Sequence, residues 1–216
     1  MYRVAFAVLF APAAVVAEVI DFESADLGSV PAGWSISMTH DGGLPRWEIQ
    51  SDATAPSGPK VLAQLSTDRT SGRFPLAIHD GARLTDGETR VKFKPISGRV
   101  DQAAGLVWRY TDENNYYIVR ANALEDNLVL YKVEDGKRTS LSPVGRNGEY
   151  GVKHTVPAER WSTLGVAFKG SRFRVLFDGE ELFQVQDGTF SAAGRVGLWT
   201  KADSVIHFDV FEIVSE

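Results

Sequence analysis

The sequence predicts an all-β sandwich of two large antiparallel sheets. Three observations carry that prediction. About fourteen short segments alternate apolar and polar side chains, at spacings of roughly 8–12 residues. No stretch sustains three turns of helical periodicity, and no period of about 20–50 residues points to a propeller or solenoid. Gly and Pro crowd the gaps and stay out of the alternating runs. Antiparallel strands must bury one face against something, and a second sheet is the economical partner. The 216 residues, 44% of them hydrophobic, suffice for one core and not for two large domains.

The first 17 residues read separately. Met1–Arg3 is a short charged start, Val4–Phe10 is an apolar run, Pro12 breaks it, and Val15-Val16-Ala17 puts small residues before Glu18. That is the pattern of a secretory leader, too short to span a bilayer as a helix. The expected organisation is therefore a leader at 1–17 and a single sandwich at 18–216, periplasmic or secreted and acting as a monomer. Losing Arg3 takes the net charge from -5 to -6. An acidic surface argues against nucleic acid and anionic membranes as partners. The absence of Cys excludes disulfides, thiol nucleophiles and thiolate metal sites.

In chain order, short strands are expected at Val19–Glu23, Trp34–Met38, Arg46–Gln50, Lys60–Gln64, Pro75–His79 and Glu88–Lys94. Gly- and Pro-rich loops separate them, with two prolines between Ala53 and Pro59 that offer no ladder donor. The segment Gly105–Lys132, GLVWRYTDENNYYIVRANALEDNLVLYK, holds three strands and two polar turns, Thr111–Asn115 and Ala123–Asp126, short enough to force antiparallel neighbours. Alternation puts Leu106, Trp108 and Tyr110 against Val107 and Arg109. It sets Tyr117 and Val119 against Tyr116, Ile118 and Arg120, and Val129, Tyr131 and Val133 against Leu128, Leu130 and Lys132. Three neighbours of this kind predict Arg109, Arg120 and Lys132 on one common face. After a turn at 134–137 and a strand at Arg138–Leu141, Ser142–Ala158 is the longest irregular segment, of the length that often forms a functional rim. Hairpins follow around Gly170 and Asp178-Gly179, and the last strands are Gly194–Lys201 and Val205–Ile213.

Of the single residues, Trp34, Trp47, Trp108 and Trp161 read as packing residues. The four histidines, His40, His79, His154 and His207, show no metal-binding spacing, and neither a nucleophile elbow nor a phosphate-binding Gly loop occurs.

Three runs of residues resemble a known family. Val156–Leu164 (VPAERWSTL), then Phe168-Lys169-Gly170, then Phe177–Phe183 (FDGEELF) are similar to the run of a laminin G-like domain. Gly194–Ser204 followed by Phe208-Asp209 is similar to the closing strands of the same domains, and Gly105–Tyr110 resembles a strand of the 3-keto-disaccharide hydrolase-type domain. All belong to the concanavalin A-like lectin/glucanase superfamily, and the likeness runs from about Val19 to Ile213. It implies a jelly roll whose concave face carries carbohydrate. It makes Gly194–Lys201 a neighbour of the central strands, so that Trp199 and Lys201 join Arg109, Arg120 and Lys132 around a glycan or small sugar ligand. It also implies a candidate structural calcium site, since jelly rolls bring their ends together and Asp21, Glu23 and Asp209 would supply hard oxygen ligands. The Glu-x-Asp-x-x-Glu strand motif of the laminarinase-type hydrolases is absent. Catalysis, if any, would then fall to loop residues, with His40, Asp112, Glu149 and His154 as candidates. Three readings stay open: a hydrolase of glycosidic bonds, a non-catalytic carbohydrate-recognition module, and a structural or protein-interaction sandwich.

Overall fold

Alternating side chains become two faces of a sheet, and here they build two sheets of eight strands each, all paired antiparallel. A computed structural model describes residues 16–215. Sheet one runs β14 (Glu180–Gln186), β13 (Arg172–Phe177), β12 (Ser162–Lys169), β6 (Gly87–Ser97), β16 (Val205–Ser215), β4 (Lys60–Gln64) and β3 (Trp47–Ser51), with β1 (Val16–Ile20) on the second half of β16. Sheet two runs β10 (Lys137–Leu141), β9 (Asn127–Glu134), β8 (Asn115–Asn122), β7 (Ala103–Asp112), β15 (Gly194–Thr200), β5 (Phe74–Leu84) and β2 (Trp34–Thr39), with β11 (Val152–Lys153) on β9. No helix occurs among the described residues. The expected two-sheet antiparallel jelly-roll β-sandwich is what forms. The leader expected at 1–17 lies outside the described residues save for its last two positions, which are the first two of β1.

Between the sheets lies the main core. Leu106, Trp108, Tyr117, Val119, Leu130 and Leu198 of sheet two meet Phe93, Val166, Phe168, Phe173 and Phe208 of sheet one. Trp108 stacks on Tyr117 and Phe168 at 5.4 and 5.9 Å. Large rings fill the gap between curved sheets well, each burying on the order of 150–250 Å².

A second apolar cluster occupies the outer face of sheet two: Phe74, Leu76, Ile78, Val107, Tyr116, Ile118, Val129, Tyr131, Val133 and Trp199. Every one is buried, so something must cover them. The sheet covers itself. From β2, Ser37 Oγ meets the Tyr110 hydroxyl at 3.1 Å and Thr39 Oγ1 the Tyr116 hydroxyl at 2.7 Å, although three strands separate β2 from β8. The His40 ring bridges the Gly72 and Gly136 carbonyls, at 2.8 Å each. From the opposite edge, Arg138 of β10 lies over Phe74 of β5 and Tyr131 at 4.6 and 4.5 Å. The sheet is curled until its two margins touch across the hollow, which is thereby filled.

Candidate functional site

The filled hollow narrows the candidate site to its mouth, at the end where the β6–β7, β8–β9 and β15–β16 turns lie. Register decides who reaches it. The turn at 123–126 pairs Arg120 with Val129 and Tyr117 with Lys132. Arg120 therefore shares the outer face with Val129 and Tyr131, and Lys132 falls on the inner face with Tyr117 and Leu130. There Lys132 Nζ meets Thr189 Oγ1 at 2.8 Å and Glu134 at 2.9 Å. The predicted common face of three cations does not form.

Arg109 departs for a different reason. Its φ of 49° places it in a bulge, where the pairing of β7 with β8 breaks between Trp108 and Asp112. The extra residue turns Arg109 inward and sends Tyr110 outward, reversing the alternation read from the sequence. Gly194 of β15 makes room, since a Cβ there would sit 2.3 Å from the Arg109 carbonyl carbon. The buried guanidinium then donates to the main-chain carbonyls of Thr85 (2.9 Å), Gly170 (2.7 Å) and Phe190 (2.6 Å) and lies 5.6 Å from the Phe173 ring. It staples three turns together and has no face left for a ligand.

At the mouth itself stand Arg120, Glu125, Asn127, Tyr131 and Tyr150, with Lys201, Asp101 and Asn122 beside them. Arg120 donates to Glu125 Oε2 at 2.6 Å, to Asn127 Oδ1, and to the Tyr150 hydroxyl at 3.3 Å. The Tyr131 and Tyr150 hydroxyls touch, and their rings meet edge to face. Tyr150 is 52% exposed, so it offers a ring to solvent above a buried one. Gly151 brings the loop down: its φ is 65°, and a Cβ there would lie 2.2 Å from the Leu128 carbonyl oxygen. The expected functional rim at 142–158 is in part this tyrosine, anchored by β11 on β9. Lys201 Nζ contacts Asp101 Oδ2 at 2.6 Å, and Asn122 donates to Asp101 Oδ1 at 2.6 Å. Trp199 is fully buried beneath, in contact with Phe74 at 5.3 Å. Of the five predicted ligand residues, Arg120 and Lys201 reach the mouth, Trp199 forms its floor, and Arg109 and Lys132 lie elsewhere. Glu125, Asn127 and Tyr150 were not predicted. Their signal was the turn beside Arg120 and the one aromatic in the long loop.

Burial works to raise the Glu125 carboxyl, but the Arg120 guanidinium and the Asn127 amide outweigh it and hold it below the usual carboxylate range. A general acid for glycoside cleavage needs the opposite shift. The loop candidates are committed elsewhere. His40 bridges two carbonyls, His154 packs on Phe177 at 4.8 Å, Asp112 caps its own turn through Asn114 N at 2.8 Å, and Glu149 faces Arg146 at 3.8 Å.

The calcium expectation does not fit. Glu23 Oε1 accepts from Lys60 N at 2.8 Å, Asp209 from Ser57 N at 2.9 Å and Ser57 Oγ at 2.6 Å, and Asp21 from Glu23 N at 3.1 Å. Both carboxylates are taken up by donors of the loop at 57–60, and among the described residues no three His, Cys, Asp or Glu side chains are grouped to hold a metal.

No family model and no curated protein matches the sequence. Solved structures do. A carbohydrate-binding module from Bacillus subtilis is 19% identical over 83% of this chain and 94% of its own, with a TM-score of 0.61. A cellulose-induced protein is 14% identical over 92% of this chain and 97% of its own, with a TM-score of 0.63. The chain has the concanavalin A-like fold. A Bacillus subtilis protein of unknown function with a galectin-like fold matches it too, at 10% identity over 85% of this chain and 90% of its own and a TM-score of 0.55. In this chain the hollow is closed over by its own sheet, and Arg120, Glu125, Asn127 and Tyr150 gather at one end of it. No helix among the described residues is long and apolar enough to cross a membrane.

Proposed function

We propose that this chain is a non-catalytic carbohydrate-recognition domain that takes a glycan at the mouth of the curled sheet. The single observation that carries the reading is the exposed Tyr150 ring beside the Arg120–Glu125–Asn127 array. A ring gives a flat apolar platform for the C–H face of a sugar. Fixed donors and acceptors next to it pair with hydroxyls at little cost in side-chain entropy, because the protein already holds them. Lys201 and Asp101 extend the array, and Trp199 and Tyr131 stiffen it from below. Similarity to a carbohydrate-binding module supports the reading. With the leader at 1–17, the domain would work in the periplasm or outside the cell.

Turnover is disfavoured because Glu125 is held ionised by Arg120 and Asp101 is tied to Lys201. The test is titration calorimetry against a panel of neutral and acidic oligosaccharides, alongside product analysis. Tyr150→Ala should weaken binding about tenfold, the scale of one aromatic contact with its burial. Glu125→Gln should leave no catalytic deficit, as there is no catalysis to lose. Identical affinities for wild type and Tyr150→Ala, or release of cleaved sugar that Glu125→Gln abolishes, would defeat the proposal.

A further inference from the structure

Past Asp101 the same end of the sandwich carries a depression of about 400 Å³ lined by Thr67, Arg69, Ser97, Gly98, Arg99 and Asp203. That is the small end of the range of ligand pockets. It adjoins the mouth through Asp101, whose side chain meets Lys201 and whose amide donates to Asp203 at 3.1 Å. Asp203 is buried and saturated: it also accepts from the amides of Arg99 at 2.8 Å and Val100 at 2.9 Å. Those bonds fix the turn that carries Arg99. Arg69 reaches Asp203 only at 3.8 Å, and no carboxylate lies within 4 Å of Arg99 among the described residues. Two guanidinium groups against one fully engaged carboxylate leave the lining with a net charge of +1, on a chain whose net charge is -5.

We infer that this depression takes the carboxylate of a uronic acid unit in the glycan held at the mouth, which makes the ligand class an acidic polysaccharide. The inference rests on the carbohydrate reading above. A guanidinium fork matches the two oxygens of a carboxylate. The single surplus charge suits a monoanion such as a carboxylate better than a phosphate dianion. The Ser97 and Thr67 hydroxyls can meet the ring hydroxyls of the same unit.

The probes are a galacturonate trimer, its carboxyl-reduced neutral counterpart, and inorganic sulfate, titrated against wild type, Arg69→Gln, Arg99→Gln and Tyr150→Ala. Both arginines are exposed, so the variants should fold. The trimer should bind Arg99→Gln about tenfold more weakly than wild type, with a smaller loss for Arg69→Gln, whose charge Asp203 partly offsets. The neutral counterpart should not distinguish them. Equal binding of acid and neutral trimers by wild type, or sulfate binding as tightly as the trimer, would overturn the inference. If Arg99→Gln is silent while Tyr150→Ala still weakens both sugars, the uronate pocket fails and the carbohydrate reading stands. If wild type binds neither sugar, both fail.

Discussion

The two outer faces of this sandwich begin from the same material and end differently. On sheet one, β6, β12 and β13 turn Arg90, Thr163 and Arg174 outward, and the cations pair with carboxylates in water: Arg90 with Glu88 at 2.5 Å, Arg174 with Glu181 at 2.7 Å. On sheet two, the outward residues of β5, β7, β8, β9 and β15 form an aromatic cluster as dry as the core. The strands differ in kind: β6 and β13 alternate apolar with charged residues, while β8 and β9 are apolar on both faces and buried on both. The difference arises when one sheet curls and the other does not. A sheet that folds over its own face needs no second layer there. The cations of that face are then laid over its rings, as Arg138 is, or gathered at the open end, as Arg120 and Lys201 are.

The contrast can be broken most forcefully on sheet two. Trp199→Ala removes a fully buried ring from the outer face and should cost about 3–5 kcal/mol, seen as a fall in the urea midpoint. An effect under about 1 kcal/mol would mean that the face is not a true second core. The second effect is one of pH and belongs to sheet one, where His207 lies under the loop at 52–57 with its Nδ1 2.8 Å from Asp52 Oδ2. Burial lowers the His207 pKa despite the Asp52 hydrogen bond, with Lys94 adding to the drop. The unfolded chain therefore takes up this proton first. The contribution is fully present above an unfolded pKa near ~6.5 and is lost as pH falls from there toward the folded value. Thermal unfolding between about pH 7 and 5 should show the loss, and His207→Gln should flatten it. His79, which burial also lowers, adds to the slope in the same sense. The aromatic face of sheet two should contribute nothing in that range, since burial raises Tyr110 and Tyr116 away from it. The smallest effect is Arg174→Ala, expected to move stability by no more than about 0.5 kcal/mol in physiological salt, because the pair is exposed and screened.

Against these faces, the legibility of the sequence divides cleanly. Strand positions were readable because turn residues bracket them: Lys60–Gln64 and Arg172–Phe177 are observed as expected. The Ala123–Asp126 turn was readable too, and it alone puts Lys132 on the other face of the sheet from Arg120, because a four-residue turn closing on Asn122 and Asn127 pairs Arg120 with an odd-numbered partner. Arg109 was not readable. A bulge is set by what the neighbouring strand permits, here the missing side chain of Gly194, and that neighbour is remote in the chain. The strand at Pro75–His79 runs on through Asp80-Gly81 to Leu84, because pairing with β15 carries the backbone past residues that look like a turn. Nor was the closure of the hollow readable: the contacts of Thr39 and His40 with Tyr116 and Gly136 join segments 77 and 96 residues apart.

The position of β16 carries a consequence for how the molecule is made. It is the last described strand, yet it lies in the middle of sheet one, pairing with β6, β4 and β1. Until β16 emerges from the ribosome, β1 has no partner, β4 has only β3, and β6 has only β12. Sheet one joins strands that are far apart in the chain, so its centre closes only once β16 has been made, and the edges of β4 and β6 stay open to chaperones until then.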